Sequence, residues 1–271
     1  MARPVNCLIS FISVWTAALV AADIFISVRI MAASLSAAVI TAGGNVINDY
    51  FDFDSDKINK PFRPLPSGSL NRGESLAAAA VFGATGLGLS LYVDLSAFII
   101  AAAVIFLLTI YTPVFKGLLF IGNLIIALVA SMAFVYGGVA AGKPFGALIL
   151  AMFAFLFHLG REIVKDIEDI SADNQSGHRT GASIDNCKTA RVMAGGVFGL
   201  LMISTILPFI SGQYGIGYLL SVATGVDSIL IYSIIMLYRT DNPRAMRRIS
   251  AWLKAAMPLG LLAVFLGSRG L

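Results

Sequence analysis

Residues Leu95–Phe115 read LSAFIIAAAVIFLLTIYTPVF and contain no Asp, Glu, Lys or Arg. A helix that crosses the hydrocarbon core of a bilayer needs roughly 20 predominantly apolar residues, and this stretch supplies them. Val192–Gly225 is a second long window without charge, and short charged clusters separate such windows along the chain. The 271 residues are 58% hydrophobic and only 13% charged, with a mean hydropathy of +0.87. A soluble domain carries about twice that share of charge, so a soluble globular protein is excluded. The pattern predicts an all-α, polytopic membrane protein.

Apolar runs bounded by charges or by Gly, Pro and Asn breaks place nine spans near 5–27, 31–50, 75–92, 95–112, 118–140, 145–164, 190–210, 214–238 and 249–267. These leave no room for a separate soluble domain, so residues 1–271 are expected to form one transmembrane domain. The opening run from Arg3 to Ala22 has the form of a secretory signal. It continues through Ile24 to Val28 and therefore reads as a retained first span. With the N-terminus on the cytoplasmic side, all of the 19 Lys and Arg residues except Arg29, Lys143 and Arg269 fall on that side. The positive-inside rule then sets a cytoplasmic N-terminus and an external C-terminus in the cell membrane. The net charge of +4 is accounted for by this asymmetry, and no basic tail or aromatic-basic interleaving points to nucleic acid. Cys7 and Cys187 stand in different segments with no CxxC spacing and read as two reduced cysteines.

Acidic residues contribute little to orientation, yet 11 of the 15 crowd into two regions at the ends of spans 2 and 6. The first reads Asn48-Asp49-Tyr50-Phe51-Asp52-Phe53-Asp54-Ser55-Asp56, with Glu74 beyond it. If span 2 stays helical, Asn48, Asp52 and Asp56 project from one face at steps of four. The second holds Glu162, Asp166, Asp169 and Asp173, again on one helical face, together with Glu168 and Asp185. Four spans separate the two motifs, which suggests a duplicated four-helix unit plus one helix around a central cavity. Like charges so spaced repel unless something positive lies between them. Mg2+ suits that place, because it takes oxygen ligands and is held by one or two carboxylates together with substrate phosphates. Asn48, Asp52 and Asp56 are candidate ligands for one ion, and Asp166, Asp169 and Asp173 for another.

Cations suited to a diphosphate surround the motifs. Lys57, Lys60 and Arg63 follow the first, and Arg63 opens a stretch, Arg63-Pro64-Leu65-Pro66-Ser67-Gly68, that its prolines stiffen. Lys165 and Arg179 belong to the second, while His178 reads as an ordinary loop residue and His158 as a core histidine. Tyr111 and Lys116 end span 4, and Asn123 begins span 5. The face of a Tyr ring can stabilise an allylic cation, though an aromatic at a membrane interface needs no such role. Asp227, mid-span 8, reads as a polar contact inside the bundle.

With these motifs at these positions the chain resembles the UbiA superfamily of intramembrane prenyltransferases over nearly its whole length. The resemblance implies a helical bundle open to lipid and a Mg2+-dependent transfer of an isoprenyl group from its diphosphate to a lipophilic acceptor. Within the superfamily, Asp56–Gly68 and Arg161–Asp169 are similar to enzymes that attach a second geranylgeranyl chain, as an ether, to geranylgeranylglyceryl phosphate. One departure is Ala172-Asp173 where Gly-Asp is usual, followed by Asn174–Thr180 in place of a more Lys-rich segment. The resemblance assigns Asn48, Asp49, Asp52, Asp56, Asp166, Asp169 and Asp173 to the metal and reaction centre, with Asp49 either ligand or base. It assigns Tyr111 to the cation and Lys57, Lys60, Arg63, Lys116, Asn123, Lys165 and Arg179 to the diphosphate. Aromatic acceptors (hydroxybenzoate, naphthoate, homogentisate, a chlorophyllide) use the same machinery and stay open. A cation transporter is the more distant alternative, and it would place its acids near the bilayer midplane rather than at span ends.

Overall fold

The computed structural model describes residues 1–24, 26–116, 118–176, 184–240 and 242–268. Every regular element among them is helical. They form two compact units, residues 1–151 and 152–271. The first unit holds α1 (Pro4–Ala22), α2 (Val28–Phe51), the short α3 (Phe53–Asn59), α4 (Arg72–Val93), α5 (Leu95–Ile110) and α6 (Leu119–Ala140). A π-helical turn, Tyr111–Phe115, prolongs α5. Nearly all of α7 (Leu148–Ser176) lies in the second unit, with α8 (Ile184–Ile210), α9 (Ile216–Ser221), α10 (Ser228–Arg239) and α11 (Pro243–Ser268). A second π segment, Val222–Asp227, joins α9 to α10 in one continuous rod.

Among the described residues, 8 helices are long and apolar enough to cross a membrane. They correspond to the expected spans other than span 6. The ninth, α7, is long enough at 29 residues but mixed in character. Its first half, to Gly160, carries no Asp, Glu, Lys or Arg, and the charged second motif occupies the rest. Large apolar side chains such as Ile99, Phe106, Ile203 and Ile210 are exposed along these helices, which is the arrangement of a surface that faces lipid. The protein is a multi-pass membrane protein.

Helix ends are set by local chemistry. Ser27 accepts from the Ile30 amide at 3.1 Å and starts α2. Asp94 accepts from the Ala97 amide at 2.9 Å to start α5, and its other oxygen takes Arg29 at 2.7 Å. Asn71 and Glu74 form a reciprocal capping box on α4. The apolar run beyond Ala22, read as part of span 1, leaves the helix because Asp23 turns into the left-handed region at φ 54°.

Small residues let the helices of the first unit approach. A Cβ on Gly137 of α6 would lie 2.3 Å from the Val14 carbonyl oxygen of α1, and one on Gly86 of α4 2.4 Å from Ile40 of α2. Ser36 of α2 donates to the Gly86 carbonyl at 2.8 Å and pairs with the Tyr136 hydroxyl of α6 at 3.0 Å. In the second unit, Gly160 of α7 leaves room for the buried Phe198 ring of α8, which a Cβ would meet at 2.3 Å. Tyr218 donates to the Thr205 carbonyl at 2.9 Å, and Thr205 stands 3.5 Å from Asp227, the polar contact expected of that residue.

Candidate active site

The first motif sits where α2 gives way to α3. The helix breaks at Asp52, whose ψ of 4° bends the chain. Turn bonds still link Asp52 N to the Asn48 carbonyl at 2.9 Å and Asp56 N to the Asp52 carbonyl at 2.8 Å. Side-chain bonds link the residues of the motif in two pairs. Asn48 and Asp52 stay together, with Asn48 Nδ2 donating to Asp52 Oδ2 at 3.0 Å. Asp56 instead joins Asp49.

Arg63 makes that second pair. Its Nη1 donates to Asp49 Oδ1 at 3.0 Å and to Asp56 Oδ2 at 2.6 Å. Both carboxylates are buried, 4% and 3% exposed, and a buried carboxylate without a counter-ion costs several kcal/mol. The stiff loop delivers Arg63 to them. Ser67 N bonds the Arg63 carbonyl at 2.9 Å, Leu70 N the Pro64 carbonyl at 3.1 Å, and Gly68 takes a φ of 79° that favours glycine. Leu65 is buried and pins the loop to the unit.

Two further cations reach the same acids from far along the chain. Arg3 Nη2 donates to Asp49 Oδ1 at 2.6 Å. Lys116, just past the π turn, bonds Asp52 Oδ1, and Thr112 within that turn donates to Asn48 Oδ1 at 3.0 Å. Lys60 lies 3.9 Å from Asp56. Lys57 is not on a carboxylate but 4.3 Å above the Phe53 ring, which Arg72 also faces at 4.8 Å.

The Tyr111 ring packs near Gly122 of α6. A Cβ there would be 2.9 Å from the Phe115 carbonyl oxygen and 3.6 Å from the Tyr111 ring, so the missing side chain seats the π turn. Asn123, the next residue, is buried. Of the candidate residues of the first unit, Asn48, Asp52 and Lys116 form one polar network and Asp49, Asp56, Lys60 and Arg63 another, and Lys57 lies on its aromatic ring.

In the second unit, α7 carries Glu162, Asp166, Asp169 and Asp173 on an unbroken helical backbone. Buried Glu162 accepts from its own neighbours, Arg161 Nη1 at 2.6 Å and Lys165 Nζ at 3.0 Å. Glu168 accepts from Ser250 of α11 at 2.6 Å, with Arg247 3.7 Å away. Arg179 and His178 lie outside the described residues. The structure adds Arg3, Thr112 and Arg161 to the residues the sequence singles out. Arg3 was traceable, since span 1 begins and span 2 ends on the same side.

Among the described residues no three His, Cys, Asp or Glu side chains are gathered in the manner of a closed metal site. The donors nevertheless fit Mg2+, which needs only one or two hard carboxylates beside phosphate and water. Asp52 already holds a cation, the Lys116 ammonium, on one oxygen, while its other oxygen accepts from the Asn48 amide nitrogen.

The pattern of the UbiA prenyltransferase family matches residues 10–256. The digeranylgeranylglyceryl phosphate synthase of Thermococcus gammatolerans is 37% identical over 228 residues, 84% of this chain and 81% of that protein. That of Methanopyrus kandleri is 34% identical over 270 residues, 99% of this chain and 97% of the relative. A solved structure of a digeranylgeranylglyceryl phosphate synthase matches with a TM-score of 0.81 at 33% identity, over 100% of this chain and 97% of that one. A UbiA homologue from Archaeoglobus fulgidus bound to GPP and Mg2+ shares the fold with a TM-score of 0.66 at 16% identity, over 97% and 98% of the two chains.

Proposed function

The chain belongs to the UbiA prenyltransferase family, and from that membership we propose that it moves a geranylgeranyl group from geranylgeranyl diphosphate to the free hydroxyl of geranylgeranylglyceryl phosphate. The product is an ether lipid, digeranylgeranylglyceryl phosphate, and diphosphate is released. The observation that carries the acceptor is near-full-length similarity to relatives of that one activity. The family match runs through both units, which supports reading residues 1–271 as one prenyltransferase domain. The side rich in Lys and Arg is the cytoplasmic one, with the N-terminus there and the C-terminus outside.

Asn48, Asp52 and Asp56 would hold one Mg2+, and Asp166, Asp169 and Asp173 another. When bound, Mg2+ neutralises charge on the departing diphosphate. Arg63 and Lys116 exchange carboxylate for phosphate oxygens, Arg63 as a planar fork and Lys116 as a point charge. Lys57, Lys60, Asn123, Lys165 and Arg179 complete the diphosphate contacts. The C1–O bond breaks and its electron pair leaves with the diphosphate. The Tyr111 ring faces the allylic cation, while apolar side chains keep water from capturing it. The acceptor hydroxyl oxygen then bonds to C1 and releases its proton.

Purified protein supplied with labelled geranylgeranyl diphosphate tests this reading. The label is expected to enter digeranylgeranylglyceryl phosphate when Mg2+ is present and to stay in the donor when EDTA removes it. Transfer to hydroxybenzoate, naphthoate or homogentisate in preference to the glyceryl phosphate overturns the acceptor. Activity that survives EDTA overturns the metal.

A further inference from the structure

We infer that Arg3 is a positioning residue for this site, carrying the charge of Asp49 so that Arg63 is free to turn to the diphosphate. The inference rests on the prenyl-transfer reading above and extends it to a residue outside both acidic motifs.

Three observations support it. Asp49 is buried and its Oδ1 accepts from two guanidinium groups, Arg3 at 2.6 Å and Arg63 at 3.0 Å. Arg63 also serves Asp56 at 2.6 Å through the same nitrogen. One guanidinium nitrogen thus answers for two buried carboxylates; Lys60 lies 3.9 Å from Asp56, and Asp49 has a second direct donor. That second donor is built in. Arg3 Nη1 donates to Asn45 Oδ1 at 3.3 Å, while Asn45 Nδ2 returns a bond to the Ala2 carbonyl at 3.0 Å. Asn45 and Asp49 stand one turn apart on α2, so the guanidinium fork spans two rungs of the helix. Finally, Arg3 adopts φ 50° and ψ 74°, a left-handed conformation that residues other than glycine seldom take. Such a conformation persists only where its surroundings hold it, and here the side-chain bonds to α2 do so.

The consequence is an exchange of partners. When Arg63 leaves Asp49 for a phosphate oxygen, Arg3 keeps the buried carboxylate neutralised. Without Arg3, Asp49 retains Arg63, and the diphosphate competes with a buried acid for its own ligand.

Arg3→Gln is therefore expected to raise the KM for geranylgeranyl diphosphate and the Kd for inorganic diphosphate with Mg2+ by about tenfold, with kcat changed less than the KM. Arg3→Lys restores most of the affinity. Adding Asp49→Asn to Arg3→Gln also restores diphosphate affinity, because the acid that retains Arg63 has lost its charge. A role confined to folding gives a lower melting temperature in Arg3→Gln with no recovery of affinity in the double variant. That result overturns the inference, as does an unchanged Kd. Diphosphate binding is read separately from lipid transfer, so wild-type protein that binds diphosphate but makes no ether lipid overturns the acceptor assignment and leaves the Arg3 result readable. Failure of the wild type to bind diphosphate overturns both.

Discussion

The two acidic motifs solve one electrostatic problem in opposite ways. At the end of α2, the carboxylates are neutralised from a distance. Arg3 lies 46 residues before Asp49, and Lys116 lies 64 after Asp52. On α7 the buried Glu162 is served by Arg161 and Lys165, on the same helix within one turn. The first motif is thus a product of tertiary structure, and the inner part of the second comes with its helix. Like charges on a bare helix are destabilising; the first motif depends on the packing of the first unit to offset that, whereas local sequence suffices for Glu162.

The sharpest test of the contrast is on the reaction. Asp52→Ala and Asp169→Ala are each expected to slow transfer of labelled geranylgeranyl groups by about 100-fold or more, the usual loss when one group that stabilises developing charge is removed. A large loss for one and a normal rate for the other would show that the motifs are not equivalent partners in catalysis. On stability, Arg63→Ala takes from buried Asp56 its close cation and leaves Lys60 3.9 Å away, while Arg3 stays on Asp49, a cost of up to about 3–5 kcal/mol for a buried pair broken on one side. It should appear as a much lower melting temperature in detergent. Gly160→Ala, beside the second motif, forces a Cβ against the buried Phe198 ring; overpacking of this kind costs about 1–3 kcal/mol. The least effect belongs to Lys165→Ala. Lys165 is 53% exposed and Arg161 stays on Glu162, so the loss after solvent screening is below about 1 kcal/mol. A melting temperature that falls as far for Lys165→Ala as for Arg63→Ala would erase the distinction between the motifs.

Charge-free windows made the spans readable, because a bilayer imposes length and apolarity on any helix that crosses it. The same logic fails where the chain bends without changing composition. Nothing in Asn48–Asp56 announces the break at Asp52, since Asn48, Asp52 and Asp56 fit an unbroken helical period. The bonds from Arg63 to Asp56 and from Lys116 to Asp52 come from outside that stretch. The π segments at Tyr111–Phe115 and Val222–Asp227 are likewise invisible to periodicity, because one shifted hydrogen bond alters no residue type. Arg3 was legible as a topological charge and not as a partner of Asp49, since pairing across 46 residues depends on helix packing.

The long reach of Lys116 bears on how the protein is made. Asp49 meets its first counter-ion as soon as α1 and α2 pack, because Arg3 has already been synthesised. Asp52 must wait until α4, α5 and the π turn have left the ribosome before Lys116 can reach it. In that interval the end of α2 carries a carboxylate whose partner does not yet exist, and it must be held in the aqueous boundary until the fifth helix arrives. Neutralisation of the acid is therefore a late event in membrane insertion, and a chain arrested after α4 should leave Asp52 more reactive toward water-soluble carboxyl reagents than in the finished protein, where Lys116 holds it and its side chain is 15% exposed.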